Sequence, residues 1–235
     1  PAGRKLWDQV NEAFDQLALA TLNATPDSES VVLRIGCAYG LSNNWLCPRI
    51  ENFLTDYPSF RVQINFIETF PKEIPSDDDL VICYGKPVLP ENQLTRLDPQ
   101  KISPVCSYSY YEKSGRPSSL QDISRCTMIH ADEGQEWKSW FETAGHEASI
   151  SNSDRNLFLT TGYSMVLDAV RRGFGVGLVG DRWVREDIQE GSLISLSDHS
   201  INTPQTYYIA RPEEKHRRPI GRAFERWILD QWQSN

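Results

Sequence analysis

Residues 31–66 read VVLRIGCAYGLSNNWLCPRIENFLTDYPSFRVQINF, and this stretch decides the fold class. Val31 to Tyr39 is a short apolar run of buried-strand type. Trp45 to Asp56 has the spacing of a helix that ends before Tyr57-Pro58, because a residue preceding proline is pushed out of the α region. Phe60, Val62, Ile64 and Phe66 then alternate as a half-buried strand does. A strand, a helix and a second strand in this order form a βαβ unit, whose crossover implies parallel pairing.

Outward from this unit the alternation continues. Leu80 to Tyr84 is a further apolar run closed by Gly85, and Ile102 to Tyr111 is strand-like. After a stretch rich in Gly, Pro and Ser from Ser114 to Ser119, a second α/β cycle begins with a strand at Cys126 to His130. Asp132 is a candidate cap for the next helix, with Gln135 reaching back, and Trp137, Trp140 and Phe141 supply its apolar face. A strand at Asn156 to Leu159, a helix at Tyr163 to Arg172, a strand at Val176 to Val179 and a helix at Asp181 to Glu190 follow. The chain closes with a strand at Thr206 to Arg211 and a helix carrying Phe224, Trp227, Ile228 and Gln231. The expectation is an α/β fold with a mostly parallel sheet and no internal repeat.

With 235 residues, 39% of them apolar, the chain can bury one large core or two small ones. No run of eighteen apolar residues occurs, and the opening Pro1-Ala2-Gly3-Arg4-Lys5 is not a secretory signal, so a soluble, cytoplasmic protein with no membrane partner is expected. A formal net charge of −8 gives a surface that repels phosphate backbones, so duplex DNA is not an expected direct partner of this stretch. Cys37, Cys47, Cys83, Cys106 and Cys126 are scattered and lack C-x-x-C spacing, which speaks against a zinc site or a disulfide framework. They read as buried small hydrophobes, the sharper reading being a peroxide-sensing pair of Cys37 and Cys47.

Near the start, Leu6, Val10, Phe14 and Leu17 recur at helical spacing within an amphipathic helix from Leu6 to Leu22. The polar stretch Pro26-Asp27-Ser28-Glu29-Ser30 follows it, so its apolar stripe either meets a partner or lies back on its own domain.

Five stretches together resemble the LysR-type transcriptional regulators, in the branch of the glycine-cleavage and β-lactamase activators. They are LRIGCAYGLSNNWLCPRIENFLTDYP at 33–58, DLVICYG at 79–85, PVCSYSYY at 104–111, EWKSWFETAG at 136–145 and LDAVRRGFGVGLV at 167–179. The opening PAGRKLWDQVNEAFDQL resembles the linker helix that joins the family's helix-turn-helix head to its sensor, the head itself being absent from the sequence. The resemblance implies two Rossmann-like lobes joined by two crossing strands, a periplasmic-binding-protein-like arrangement. Residues 1–28 would be a linker and dimerisation helix, 31–102 with 208–235 the first lobe, and 107–203 the second. It further implies a small-molecule effector in the interlobe cleft; the residues themselves suggest a carboxylate or an amino-acid-like metabolite and offer no spacing for a metal, and no cofactor is expected. A dimer or tetramer, and promoter DNA reached only through the missing head, complete the expectation.

In an open α/β sheet, ligands gather beyond the carboxyl ends of the strands. Two polar turns lie there, Tyr39-Gly40-Leu41-Ser42-Asn43 and Thr161-Gly162-Tyr163-Ser164, each opening a helix whose free N–H groups suit a carboxylate. Ser42, Thr161 and Ser164 could equally be plain helix caps. The resemblance places effector contacts at Tyr39, Gly40, Leu41, Ser42, Asn43, Thr161, Tyr163 and Ser164, and by match at Glu68, Thr69, Ser107 and Tyr207. Many relatives carry a serine or threonine where this chain has Gly40 or Leu41, so the hydrogen-bond pattern differs from theirs.

An enzyme is the poorer reading. His130, His146, His199 and His216 have no metal spacing, and neither a G-x-S-x-G elbow nor a P-loop occurs. His130, at the end of a strand, is either a core residue or a ligand contact, and Glu68 is either a general base or a recogniser of a cationic amine. A solute-binding receptor of a transport system is the main alternative, and the helix at 5–22 speaks against it, since such a receptor needs no dimerisation helix. A transferase or deaminase on the same lobes would require turnover.

Overall fold

Seven residues of β1 (Val32–Ala38) run parallel to β2 (Arg61–Ile67), with Val32 abreast of Arg61 and Ala38 abreast of Ile67. β3 (Leu80–Tyr84) joins β1 from the other side, also in parallel. The helical crossover between β1 and β2 is not the single piece expected from 45 to 56. With the N-terminal helix (residues 13–21) counted as α1, helix starts at once after β1 as α2 (Tyr39–Leu41), widens into a π-helical turn at Ser42–Leu46, breaks at 47–49 and resumes as α3 (Ile50–Asp56). Pro48 explains the break, because it lacks the N–H a continuing helix needs and its ring clashes with the preceding turn.

The structure, a computed structural model, describes residues 10, 13–21, 31–68, 73–146, 156–159 and 162–234. The chain divides into two compact units, Pro1–Asp98 with Gln205–Asn235, and Pro99–Pro204. Residues 99–102, which the resemblance would leave in the first lobe, therefore begin the second unit.

In the first unit a five-stranded sheet has the order β2-β1-β3-β11-β4, with β4 (Leu94–Arg96) and β11 (Tyr207–Ala210). β11 is antiparallel to both neighbours, Tyr207 standing abreast of Tyr84. A long helix (Pro219–Gln233), started by proline at its first turn, buries Ile220, Phe224, Ile228 and Trp232. Phe224 meets Phe53 edge-on at 5.0 Å and Trp232 meets Trp45 at 5.0 Å, so the helix and the crossover share one apolar core.

The second unit is built on β5 (Lys101–Ser107), β6 (Met128–His130), β7 (Leu157–Phe158), β8 (Val176–Gly180), β9 (Leu193–Ser195) and β10 (Ile201–Asn202), in the order β10-β5-β8-β6-β7 with β9 also on β5. The strand expected from 102 to 111 stops at Ser107 and turns into α4 (Tyr108–Lys113). α5 (Leu120–Ser124), opened by a Ser119–Asp122 capping box, lies outside the expected elements. α6 (Gln135–Thr143) is capped by Gly134 rather than by Asp132, although Asp132 still accepts from the Gly134 and Glu136 amides at 2.8 and 3.0 Å. α7 (Tyr163–Arg171) and α8 (Asp181–Gln189) flank β8 in sequence.

Neither sheet is mostly parallel. Parallel pairing is confined to β2-β1-β3 and to β7-β6-β8, whereas β11 and β5 run against their neighbours. The reason is chain entry: β11 and β5 carry the chain in beside the carboxyl ends of β3 and β8, so they must run opposite to them.

The N-terminal helix is described at residue 10 and residues 13–21. Asp15 and Leu19 are buried against the first unit, and Asp15 accepts from Arg222 Nε at 2.8 Å on the terminal helix. Val10, Phe14 and Leu17 face away, Phe14 and Leu17 being 65% and 64% exposed. The helix thus rests on its own unit by its Asp15 and Leu19 face, and the apolar stripe does not lie back on that unit. Leu6 lies outside the described residues.

Candidate functional site

The carboxyl edge of the first sheet gathers most of the expected residues of that unit. Tyr39 opens α2 directly beyond β1 and sets its ring edge-on to Phe66 of β2 at 5.7 Å. Glu68, exposed, follows β2. Tyr207 enters beside Tyr84, the ring centroids 5.1 Å apart, because β11 is antiparallel to β3. Its phenol is buried, which holds the hydroxyl protonated well above the ordinary tyrosine range. Gly40, half-buried, and Asn43, exposed, lie on the same crossover.

Two expected contacts have other duties. Leu41 is fully buried, the inward-facing third residue of α2. Ser42 donates its hydroxyl to the Tyr39 carbonyl at 2.9 Å, so it back-bonds inside the helix rather than capping it. The residue at the cap is Ala38, which offers no side-chain bond. Thr69 and Thr161 lie outside the described residues.

In the second unit the carboxyl edge is formed by the ends of β6, β7 and β8 and the starts of α7 and α8. α7 is capped by Gly162, which supplies no side chain to the amides of the first turn. Tyr163 and the buried Ser164 occupy that turn, and the Tyr163 hydroxyl donates to the Glu136 carboxylate. Burial holds the Glu136 carboxyl above its ordinary range, with the Tyr163 hydrogen bond acting the other way.

Ser107 is not part of this edge. β5 runs antiparallel to β8, with Ile102 abreast of Gly180 and Val105 abreast of Gly177, so its last residue lies at the amino edge. There Ser107 caps α4 by accepting from the Tyr110 amide at 3.2 Å, and a Cβ on Gly173, past the far end of α7, would stand 3.2 Å from its hydroxyl. Reading β5 as parallel hid this reversal.

His130 closes β6 beneath the same edge, only 1% exposed and stacked on Phe158 with centroids 4.4 Å apart. Burial holds the imidazole below its ordinary value, opposed by the Asp132 carboxylate and by Asn156. An imidazole so depressed is neutral in the fold but still protonates at its ordinary value when unfolded. Stability should therefore fall as pH drops below about 6.5 toward the folded value, by at most about 1.4 kcal/mol per pH unit for this one group. Glu136 contributes with opposite sign above its ordinary 4.5, where the folded form keeps its proton longer. Urea unfolding of wild type and His130→Gln at pH 7.5, 6.5 and 5.5 isolates the histidine: equal slopes for the two proteins would refute its role.

Burial speaks against Cys37 and Cys47 as a sensing pair. Cys37 is fully buried on β1, and burial pushes its thiol far above the ordinary range, while Cys47 is exposed on the crossover. Burial likewise pushes Cys83 and Cys106 up to about 12. No cluster of His, Cys, Asp and Glu with metal-holding geometry occurs among the described residues.

Residues 26–233 match the family model described as the LysR substrate binding domain. The glycine cleavage system transcriptional activator of Escherichia coli (strain K12) is 23% identical across 97% of this chain and 73% of its own length. The HTH-type transcriptional regulator PerR of the same strain is 26% identical across 97% of this chain and 75% of its own. Among solved structures, the AmpR effector binding domain from Citrobacter freundii superposes with a TM-score of 0.68 at 21% identity, covering 87% of this chain and 100% of that one. The effector domain of AmpR of Pseudomonas aeruginosa gives 0.67 at 20%, covering 86% and 96%. At these identities the structural likeness speaks for the fold, which is the α/β fold in two lobes that these domains share.

Proposed function

Because the chain belongs to the LysR substrate binding domain family, and is thereby the effector-binding regulatory domain of a LysR-type transcriptional regulator, we propose that the carboxyl edges of its two sheets carry the effector contacts. The effector is a small carboxylate or amino-acid-like metabolite. The observation that supports this most is the convergence of Tyr39, Gly40, Asn43, Glu68 and Tyr207 on one sheet edge, although they lie far apart in sequence. In the second unit the same kind of edge carries the glycine-capped start of α7, with Tyr163 and Ser164 in its first turn. The role is recognition without turnover.

The test is a thermal-shift screen of amino acids and organic acids, followed by titration of the hit against variants. Asn43→Ala and Ser164→Ala should each weaken binding about threefold to tenfold, the worth of one neutral hydrogen bond. Asn43 is exposed, so its variant should melt as wild type does. Unchanged affinity in both variants for an identified effector would place the contacts elsewhere.

Effector binding shifts an equilibrium that the promoter-binding segment senses, and that helix-turn-helix belongs outside these 235 residues, in a cytoplasmic dimer or tetramer. Val10, Phe14 and Leu17 form the seam with a second copy, since an exposed stripe at heptad-like spacing suits a coiled coil. Sedimentation at micromolar concentration should show self-association, reduced in a Phe14→Glu, Leu17→Glu double variant. A wild type that stays monomeric would exclude this seam.

A further inference from the structure

The amino edge of the first sheet, opposite the edge read above as effector-binding, holds a cavity of about 560 Å³. It lies where β3 begins and β11 ends: Asp78 and Asp79 lead into β3, Pro212 and Glu213 leave β11, and Arg218 starts the terminal helix. The two strands are antiparallel, Ala210 standing abreast of Val81, so the end of one and the start of the other share this edge. Tyr84 and Tyr207 lie at the other. A space of this size is in the range that takes a small molecule.

The charges around it do not balance. Asp79 is matched by Arg218, and Glu213 by Lys215 at 2.9 Å. Glu73, Asp77 and Asp78 line the same space and form no ion pair among the described residues. Asp78 carries the argument, since it is only 7% exposed. Asn65 Nδ2 donates to its Oδ1 at 3.4 Å, long for such a bond, and its Oδ2 accepts from no described residue. Gly36 makes room for it, because a Cβ there would stand 3.2 Å from that Oδ2. Burial first, then the carboxylates of Asp79 and Asp77, hold the Asp78 carboxyl above its ordinary range, against the Asn65 hydrogen bond and the Arg34 charge. A buried carboxylate among like charges, with one oxygen free, is a cost that a bound cation would offset.

We propose that this cavity binds an organic polyamine, an alkyl chain carrying two or more ammonium groups, one of them seated on Asp78. Two features favour that class over a bare metal ion. No three of the described His, Cys, Asp and Glu side chains converge as a metal requires, so the cation must be long enough to visit carboxylates that stand apart. Ile74, Pro75, Leu89 and Pro212 line the same space and give methylene groups an apolar surface to lie on. The site is separate from the proposed effector contacts and does not rest on them.

The test titrates spermidine calorimetrically into the chain at about pH 7.5 and about 0.15 M salt, which screens diffuse surface attraction. Asp78→Asn keeps the shape and removes the charge, so it should weaken spermidine about tenfold or more, the worth of a charge-assisted contact. Without ligand the same variant should melt at or above wild type, because it removes a buried charge that faces like charges. Glu73→Gln with Asp77→Asn, both exposed, should weaken binding about twofold to fivefold. Glu51→Gln with Asp56→Asn takes two charges from exposed positions of α3 and should leave binding unchanged, as should Asn43→Ala at the opposite edge. No spermidine binding by wild type would overturn the proposal, and so would an Asp78→Asn variant that binds as wild type does. An equal loss in the α3 variant would reduce the binding to diffuse attraction and overturn the site. Magnesium bound as tightly as spermidine, and lost in Asp78→Asn, would overturn the ligand class. An Asp78→Asn variant that melts several degrees lower would show the carboxylate already satisfied within the fold, against the proposal.

Discussion

Alanine in place of Trp140 is expected to remove about 3–5 kcal/mol of stability, the range for a large aromatic cut from a closed core. Trp140 is fully buried on α6, edge-on to Phe141 at 5.0 Å and near Trp137 at 5.9 Å, and its indole N–H donates to the His199 carbonyl at 3.1 Å. Met128, Val176 and Leu178 belong to the same cluster beneath the helix, so little can move in to fill the space. The alanine variant also orphans the His199 carbonyl. Trp140→Phe keeps most of the apolar volume and loses the donor, so it should cost only about 1–2 kcal/mol. Denaturant unfolding followed by far-ultraviolet circular dichroism checks both, and a loss below about 1 kcal/mol for the alanine variant would mean that this cluster does not hold the unit together.

The second large effect concerns an ion pair. The Asp79 side chain, 2% exposed, accepts from Arg218 Nε at 2.6 Å and again from Arg218 Nη2, while the Arg34 amide donates to it at 2.9 Å. Arg218 opens the terminal helix and also donates to the Val32 carbonyl at 2.6 Å, so one guanidinium ties the helix start to both β1 and the approach to β3. Arg218→Ala leaves a buried carboxylate with a single amide donor, and it should destabilise the first unit by about 3–5 kcal/mol. Asp79→Ala should cost less, about 2–3 kcal/mol, because the freed guanidinium is partly exposed and can be hydrated. The double variant should lose less than the sum, which a double-mutant cycle in denaturant measures. Additive losses would mean that the two groups act independently.

Much of the fold was legible in local sequence. The βαβ unit at 31–66, the aromatic face of α6 and the helix-strand-helix run from Tyr163 to Gln189 follow from apolar period and from glycine and proline at their ends, which are properties of neighbours in the chain. The family resemblance rests on the same local stretches and agrees with the match over residues 26–233. Short elements such as β4, β9, β10 and α5 were not legible, because segments of two to five residues carry too little periodicity to stand out from a loop.

The candidate site divides along the same line. Polar turns after strands are local, and Tyr39, Asn43 and Ser164 could be named from them. Leu41 and Ser107 could not be placed that way, since burial depends on which face of a short helix turns inward and edge position depends on the direction in which a strand joins its sheet. The sequence by itself determined the alternating α/β pattern, the acidic balance and the amphipathic first helix, each written in the order and type of adjacent residues. Only the tertiary structure decided that β5 and β11 run backwards, that Asp15 anchors the first helix by the face opposite its apolar stripe, and that His130 is buried against Phe158. Those facts arise from contacts between residues tens to hundreds of positions apart, which local period does not encode.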